Sequence, residues 1–83
     1  MAADEKLRSR IDDLVRDQLC LGEDHEIKPE FSLVDDLGAD DLDEIEVVMA
    51  LEEEFGIAIC EEDAQGLKSM QNIYDYIDKR MNG

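Results

Sequence analysis

Three stretches of this 83-residue chain place apolar side chains at the spacing of a helix, and glycine and proline interrupt the segments between them. In the first stretch, Leu7, Ile11, Leu14, Val15 and Leu19 recur among charged residues, which predicts an amphipathic helix from Asp4 to about Leu19. Asp4 and Glu5 fall in its first turn, where the helix dipole favours anions, and Gly22 follows as a stop signal. Pro29 and Gly38 punctuate residues 21–40, which read as a long loop pinned by Ile27, Phe31, Leu33, Val34 and Leu37. A second helix takes Asp40 as its cap, runs through Leu42, Ile45, Val47, Val48, Met49, Ala50 and Leu51 to Phe55, and stops at Gly56. Residues 57–59 read as extended and 61–65 as one helical turn that Gly66 breaks. Ser69 then caps a last helix that buries Met70, Ile73, Tyr74 and Ile77. The expectation is an all-α fold, a small bundle of three main helices plus one short helix with a long first loop.

The second helix is apolar on more than one side. At 3.6 residues per turn Val48, Leu51 and Phe55 share one face, while Leu42, Ile45 and Met49 form a stripe a quarter-turn or more away. Only one stripe can face the centre of the core. A chain of this length buries one modest core, so residues 1–83 are expected to form a single domain. An apolar fraction of 43% supports a folded core despite 39% charged residues.

Twenty-four acids against 8 bases give a formal net charge of −16, which repels nucleic acid and anionic lipid. Between Lys28 and Lys68 the chain has fourteen acids and no base. Within that stretch Glu46 and Glu53 project at nearly the same angle as Leu42 and Met49, so a strip of alternating apolar and acidic side chains runs down the second helix. Such a strip fits a partner that carries basic residues around a shallow apolar groove. Asp35, Asp36, Asp40 and Asp43, or Glu52, Glu53 and Glu61, attract divalent cations weakly, but the alternating acids and glycine of a calcium loop are missing, so no specific metal site is expected.

Cys20 and Cys60 are too few and too far apart for a disulfide scaffold or a thiolate zinc site and read as free thiols. His25 has no second ligand beside it and reads as a surface histidine. No apolar run approaches the ~20 residues needed to span a bilayer, and MAADEKLRSR lacks the apolar stretch of a signal sequence, so the reading is a cytoplasmic protein without membrane insertion. No nucleophile, base and orienting group come together in the sequence, which argues against an enzyme.

The run LVDDLGADDLDEIEVVMALEEEFGIAI, from Leu33 to Ile59, closely resembles the centre of acyl carrier proteins of the bacterial fatty-acid synthesis type, and the resemblance extends from the first helix through Ile77. It implies a bundle of three main helices and a short one. It also implies a carrier that holds its acyl chain as a thioester on 4′-phosphopantetheine, attached through a phosphodiester to the serine of an Asp-Ser-Leu triplet. Here the triplet reads Asp40-Asp41-Leu42, preceded by Gly38 and Ala39, so the attachment position is Asp41. A hydroxyl attacking the pyrophosphate of coenzyme A leaves a stable phosphodiester, whereas a carboxylate gives at best a labile acyl phosphate. The resemblance therefore implies the cofactor, and Asp41 implies that this form does not carry it. Ser9, Ser32 and Ser69 all lie outside the Asp-x-Leu context.

By the same resemblance Leu42, Asp43, Glu46, Met49 and Glu53 belong to the helix that docks on basic-faced synthases, acyltransferases and phosphopantetheinyl transferase, and Val48, Leu51, Phe55, Ile59, Leu67 and Ile73 to the core or acyl pocket. Cys60 stands where many members place proline, and reads as a small, partly buried residue. The expected function is an acyl carrier protein of fatty-acid or related lipid synthesis, monomeric and apo-like. The alternative is a non-carrier paralogue acting as a regulatory or structural interaction module.

Overall fold

The computed structural model describes residues 2–82, and the side chains of residues 5–81. Four helices follow one another: α1 (Ala2–Gln18), α2 (Asp41–Phe55), α3 (Glu61–Gln65) and α4 (Met70–Asn82). The side chain of Asp4, expected in the first turn of α1, lies outside the described residues. Helix α1 packs against both α2 and α4. One hydrophobic core joins Ile11 and Val15 of α1, Val47, Leu51 and Phe55 of α2, and Met70, Ile73, Tyr74 and Ile77 of α4. Leu33, Leu37 and Ala39 of the first loop close it on one side, and Ile59 and Leu67 flank α3 on another. No helix among the described residues is long and apolar enough to cross a membrane.

The helix ends show which local signals govern the chain. Gly56 adopts φ +64° after α2, and its N–H together with that of Ile57 returns to the Glu52 carbonyl. Helix α1 closes with the same kind of reversal, Cys20 N–H to Asp17 O at 3.3 Å and Leu21 N–H to Arg16 O at 2.8 Å, but the left-handed residue is Cys20, at φ +57°. Gly22, expected as the stop, comes two residues too late. A residue with a Cβ pays roughly 1–2 kcal/mol in the left-handed region. Cys20→Gly is therefore expected to stabilise the fold by about 1 kcal/mol and raise its melting temperature by roughly 4–8 °C. Calorimetry on the two proteins checks this, and an unchanged or lower melting point would contradict it.

The first loop is long yet ordered by its neighbours. Met70 and Gln71, at the start of α4, have backbone N–H groups with no partner inside the helix, and they donate to Phe31 O at 2.9 Å and Pro29 O at 2.8 Å. Leu33 N–H donates to Lys68 O at 3.0 Å, beside an isolated antiparallel bridge between Ser32 and Ser69. Arg16 Nε holds the earlier half of the loop through His25 O at 2.8 Å, while the His25 side chain is exposed. Leu33 and Leu37 are buried and Ile27 and Phe31 half-buried, but Val34, expected to pin the loop, is 46% exposed. Leu33 before it takes the core position, and the two residues after it, Asp35 and Asp36, are exposed acids in a tight turn bonded to Ser32.

Two polar straps complete the bundle. Arg10 of α1 lies over the Phe55 ring at 4.5 Å and donates to Glu54 Oε2 at 2.8 Å, placing a cation at the carboxyl end of α2. Tyr74 donates its hydroxyl to Asp12 Oδ1 between α4 and α1, with the Arg8 guanidinium 5.1 Å from the Tyr74 ring. Burial pushes the Asp12 carboxyl above the ordinary carboxylate value, and burial reinforced by Asp12 pushes the Tyr74 phenol up, so the tyrosine stays the donor.

Candidate functional site

The amino end of α2 is built by a short run of local hydrogen bonds. Ser32 O accepts from Asp36 N–H at 3.0 Å and Leu37 N–H at 3.1 Å, and Asp36 Oδ2 accepts from Ser32 N–H at 2.7 Å. Gly38 then turns the chain at φ +73°, a conformation that disfavours any residue with a Cβ, and Ala39 is buried with its N–H on Leu33 O at 2.8 Å. This delivers Asp40 in an extended conformation as the cap. Asp40 Oδ1 accepts from Asp43 N–H at 2.8 Å, and Asp43 Oδ2 accepts from Asp40 N–H at 3.2 Å, a reciprocal capping box. Asp41 is the first residue of the helix proper, and its side chain is exposed.

Helix α2 turns Val47, Leu51 and Phe55 into the core. Spacing alone put Val48 on that face; the structure rotates the helix so that Val47 takes the buried place and Val48 is half-buried. The other apolar stripe faces outward, with Leu42 63%, Ile45 55% and Met49 57% exposed. Glu46 and Glu53 are exposed on the same helix, whereas Asp43 is half-buried and committed to the capping box. Leu51, Phe55, Ile59, Leu67 and Ile73 lie in the core.

Between α2 and α3 runs an open groove of about 510 Å³. Ile45, Val48 and Met49 form its α2 wall, and Ile59 and Ala64 face them. Asp41, Glu44, Glu61 and Lys68 stand around it, with Lys68 Nζ 3.6 Å from Glu44 Oε2. The groove thus joins an exposed carboxylate at the start of α2 to an apolar floor. Ala64 and Lys68 were not marked as site residues in the sequence, because only the tertiary placement of α3 and the segment after it brings them to α2, and Glu44 was not singled out among the acids of α2. Val48 and Ile59 are shared by the sequence-based pocket and this groove, while Leu51, Phe55, Leu67 and Ile73 do not line it.

The remaining sequence candidates are placed as follows. Ser32 Oγ accepts from Asp35 N–H and Ser69 Oγ from Asn72 N–H, both at 3.2 Å, so two of the three serines serve turns or caps; Ser9 is an exposed residue of α1. Cys20 and Cys60 are free thiols, and Cys60 is exposed rather than partly buried. It stands at the N-cap of α3 with its backbone at φ −71°, the value that proline's ring enforces, and its side chain makes no cap hydrogen bond. Among the described residues no group of three or more His, Cys, Asp or Glu side chains is placed to hold a metal ion.

Residues 9–77 match the family described as phosphopantetheine attachment site. An acyl carrier protein of Syntrophobacter fumaroxidans is 47% identical over 74 residues, covering 88% of this chain and 89% of that protein. An acyl carrier protein of Bdellovibrio bacteriovorus is 43% identical over 74 residues, covering 89% of this chain and 94% of its own length. Among solved structures, a candidate acyl carrier protein from Mycobacterium tuberculosis superposes with a TM-score of 0.82 at 32% identity, covering 89% of this chain and 97% of that one.

Proposed function

This chain belongs to the acyl carrier protein family, and from that premise we propose that it docks through α2 on basic-faced enzymes of fatty-acid or related lipid synthesis without bearing the phosphopantetheine arm. Acyl carrier proteins are carriers and not enzymes, so the chemistry belongs to the partners. The family's cofactor is 4′-phosphopantetheine, and the donor set here does not fit its covalent attachment. Asp41 offers a carboxylate where the attachment needs a hydroxyl, and the Asp40 and Leu42 neighbours that frame the position are in place.

The observation that carries the docking reading is the outward stripe of Leu42, Ile45 and Met49 set among Glu46, Glu53 and Asp41. Three large apolar side chains exposed on one helix of a small protein lack an intramolecular reason. Acids around them select a partner of opposite charge and make its approach fast and salt-sensitive. A single carboxylate at position 41 keeps negative charge at the start of α2, where the helix dipole favours it.

Titration calorimetry against a phosphopantetheinyl transferase or a carrier-dependent synthase tests this reading. Binding is expected to weaken steeply as salt rises, and Glu46→Lys to weaken it by about tenfold or more. Glu23→Lys, an exposed site on the first loop, is expected to change affinity by less than about twofold. Equal losses from both reversals would reduce the effect to net charge and reject α2 as the docking surface.

A further inference from the structure

Helix α3 forms one side of the groove, yet none of its own residues is buried. Its ends are fixed: Ile59 N–H donates to Glu52 Oε2 at 2.9 Å, and Leu67 is in the core. Between those points the body of the helix meets the rest of the bundle through the half-buried Ala64, which packs against the core, and through a side-chain hydrogen bond from the Tyr76 hydroxyl of α4 to Asp63 Oδ2 at 2.8 Å. Arg80, one turn further along α4, donates from Nη1 to the Tyr76 hydroxyl oxygen at 2.8 Å and to the Ala58 carbonyl at 2.8 Å. Because the tyrosine oxygen already accepts from Arg80, its single proton is directed to Asp63. Its guanidinium also lies 5.6 Å from the Tyr76 ring, which favours this geometry further.

Asp63 therefore ties α3 to α4, while Glu61 and Ala64 of the same short helix line the groove towards α2. We propose that Arg80 and Tyr76 form a latch on Asp63 that keeps α3 seated, and that release of this latch lets α3 swing about its pinned ends and widens the groove. Little burial opposes that motion, so one charge-assisted hydrogen bond has a large share in deciding the local equilibrium. The latch is independent of whether a partner docks on α2 or an arm is attached at residue 41.

Amide hydrogen exchange and binding of the neutral dye Nile red, on the full chain, test the proposal. Removing the hydroxyl with Tyr76→Phe is expected to speed exchange of the Ala64 and Gly66 amides by about tenfold, with α1 and α4 core amides changed less than about twofold. Dye binding is expected to rise in parallel. Asp63→Ala, at an exposed position that leaves the core intact, is expected to reproduce both effects. Asp63→Asn keeps an oxygen to accept from Tyr76 but loses the charge, and is expected to fall between the parent protein and Asp63→Ala in both. Unchanged α3 exchange, acceleration shared equally by the whole bundle, or faster α3 exchange without added dye binding would each overturn the latch.

Discussion

Replacing Asp41 with serine is expected to make the chain a substrate for phosphopantetheine transfer. With coenzyme A and a phosphopantetheinyl transferase active on a control acyl carrier, intact-mass measurement should find the serine form heavier by one phosphopantetheine and the parent chain unchanged. The expectation rests on the attacking atom. A serine hydroxyl at this position can attack the pantetheine-side phosphorus of the coenzyme A pyrophosphate, expelling adenosine 3′,5′-bisphosphate and leaving a stable phosphodiester, whereas the Asp41 carboxylate forms at best a mixed anhydride that water cleaves. The surroundings survive the change, because the capping box is made by Asp40 and Asp43 and Asp41 is exposed. Losing one carboxylate near the helix amino end costs about 0.3–1 kcal/mol, partly offset by relief of repulsion among neighbouring acids. Ser32 and Ser69 hold a turn and a cap, so a gain in the parent chain is not expected from them. Asp41→Asn, which removes charge without supplying a hydroxyl, should also stay at its unmodified mass. No gain in the serine form would count heavily against a carrier role for this site and favour the alternative, a non-carrier interaction module.

The boundaries of α2 and α4 were legible because they rest on chemistry within a few residues: Asp40 with Asp43, Gly56, and Ser69 with Asn72. The end of α1 falls within a residue of the expected Leu19, but what stops the helix was not legible. Its left-handed residue is Cys20, and nothing in a cysteine announces that conformation, whereas Gly22 nearby offered a false stop. Val34 misled for a related reason, since an apolar residue inside a self-bonded acidic turn looks the same in sequence as one that reaches the core. The acid-and-apolar strip on α2 was visible from spacing alone, but the groove was not, because α3 contributes Ala64 and Glu61 through tertiary packing rather than through a local pattern. Position 41 was marked by its flanking triplet, and its chemical meaning came from resemblance rather than from periodicity.

The rotation of α2 about its axis is the point at which spacing and structure part, and it makes a stability prediction with a large contrast. Val48 and Leu51 share a face in the sequence pattern, yet Leu51 is fully buried and Val48 is half-buried at the groove. Leu51→Ala removes a side chain surrounded by core and leaves a cavity, an expected cost of about 2–5 kcal/mol. For an 83-residue fold that is a large part of the ~5–15 kcal/mol that keeps it folded, and a fall in melting temperature on the order of 10–20 °C. Val48→Ala strips methyl groups from a wall already open to solvent, where a cost below about 1 kcal/mol is expected. Val47→Ala should fall nearer Leu51→Ala, because Val47 has no exposed surface. Urea unfolding of the three variants at one salt concentration ranks them. If Val48→Ala proved more costly than Val47→Ala, the helix would have to be turned by roughly 100°, one residue's rotation, and the outward stripe of Leu42, Ile45 and Met49 would turn with it.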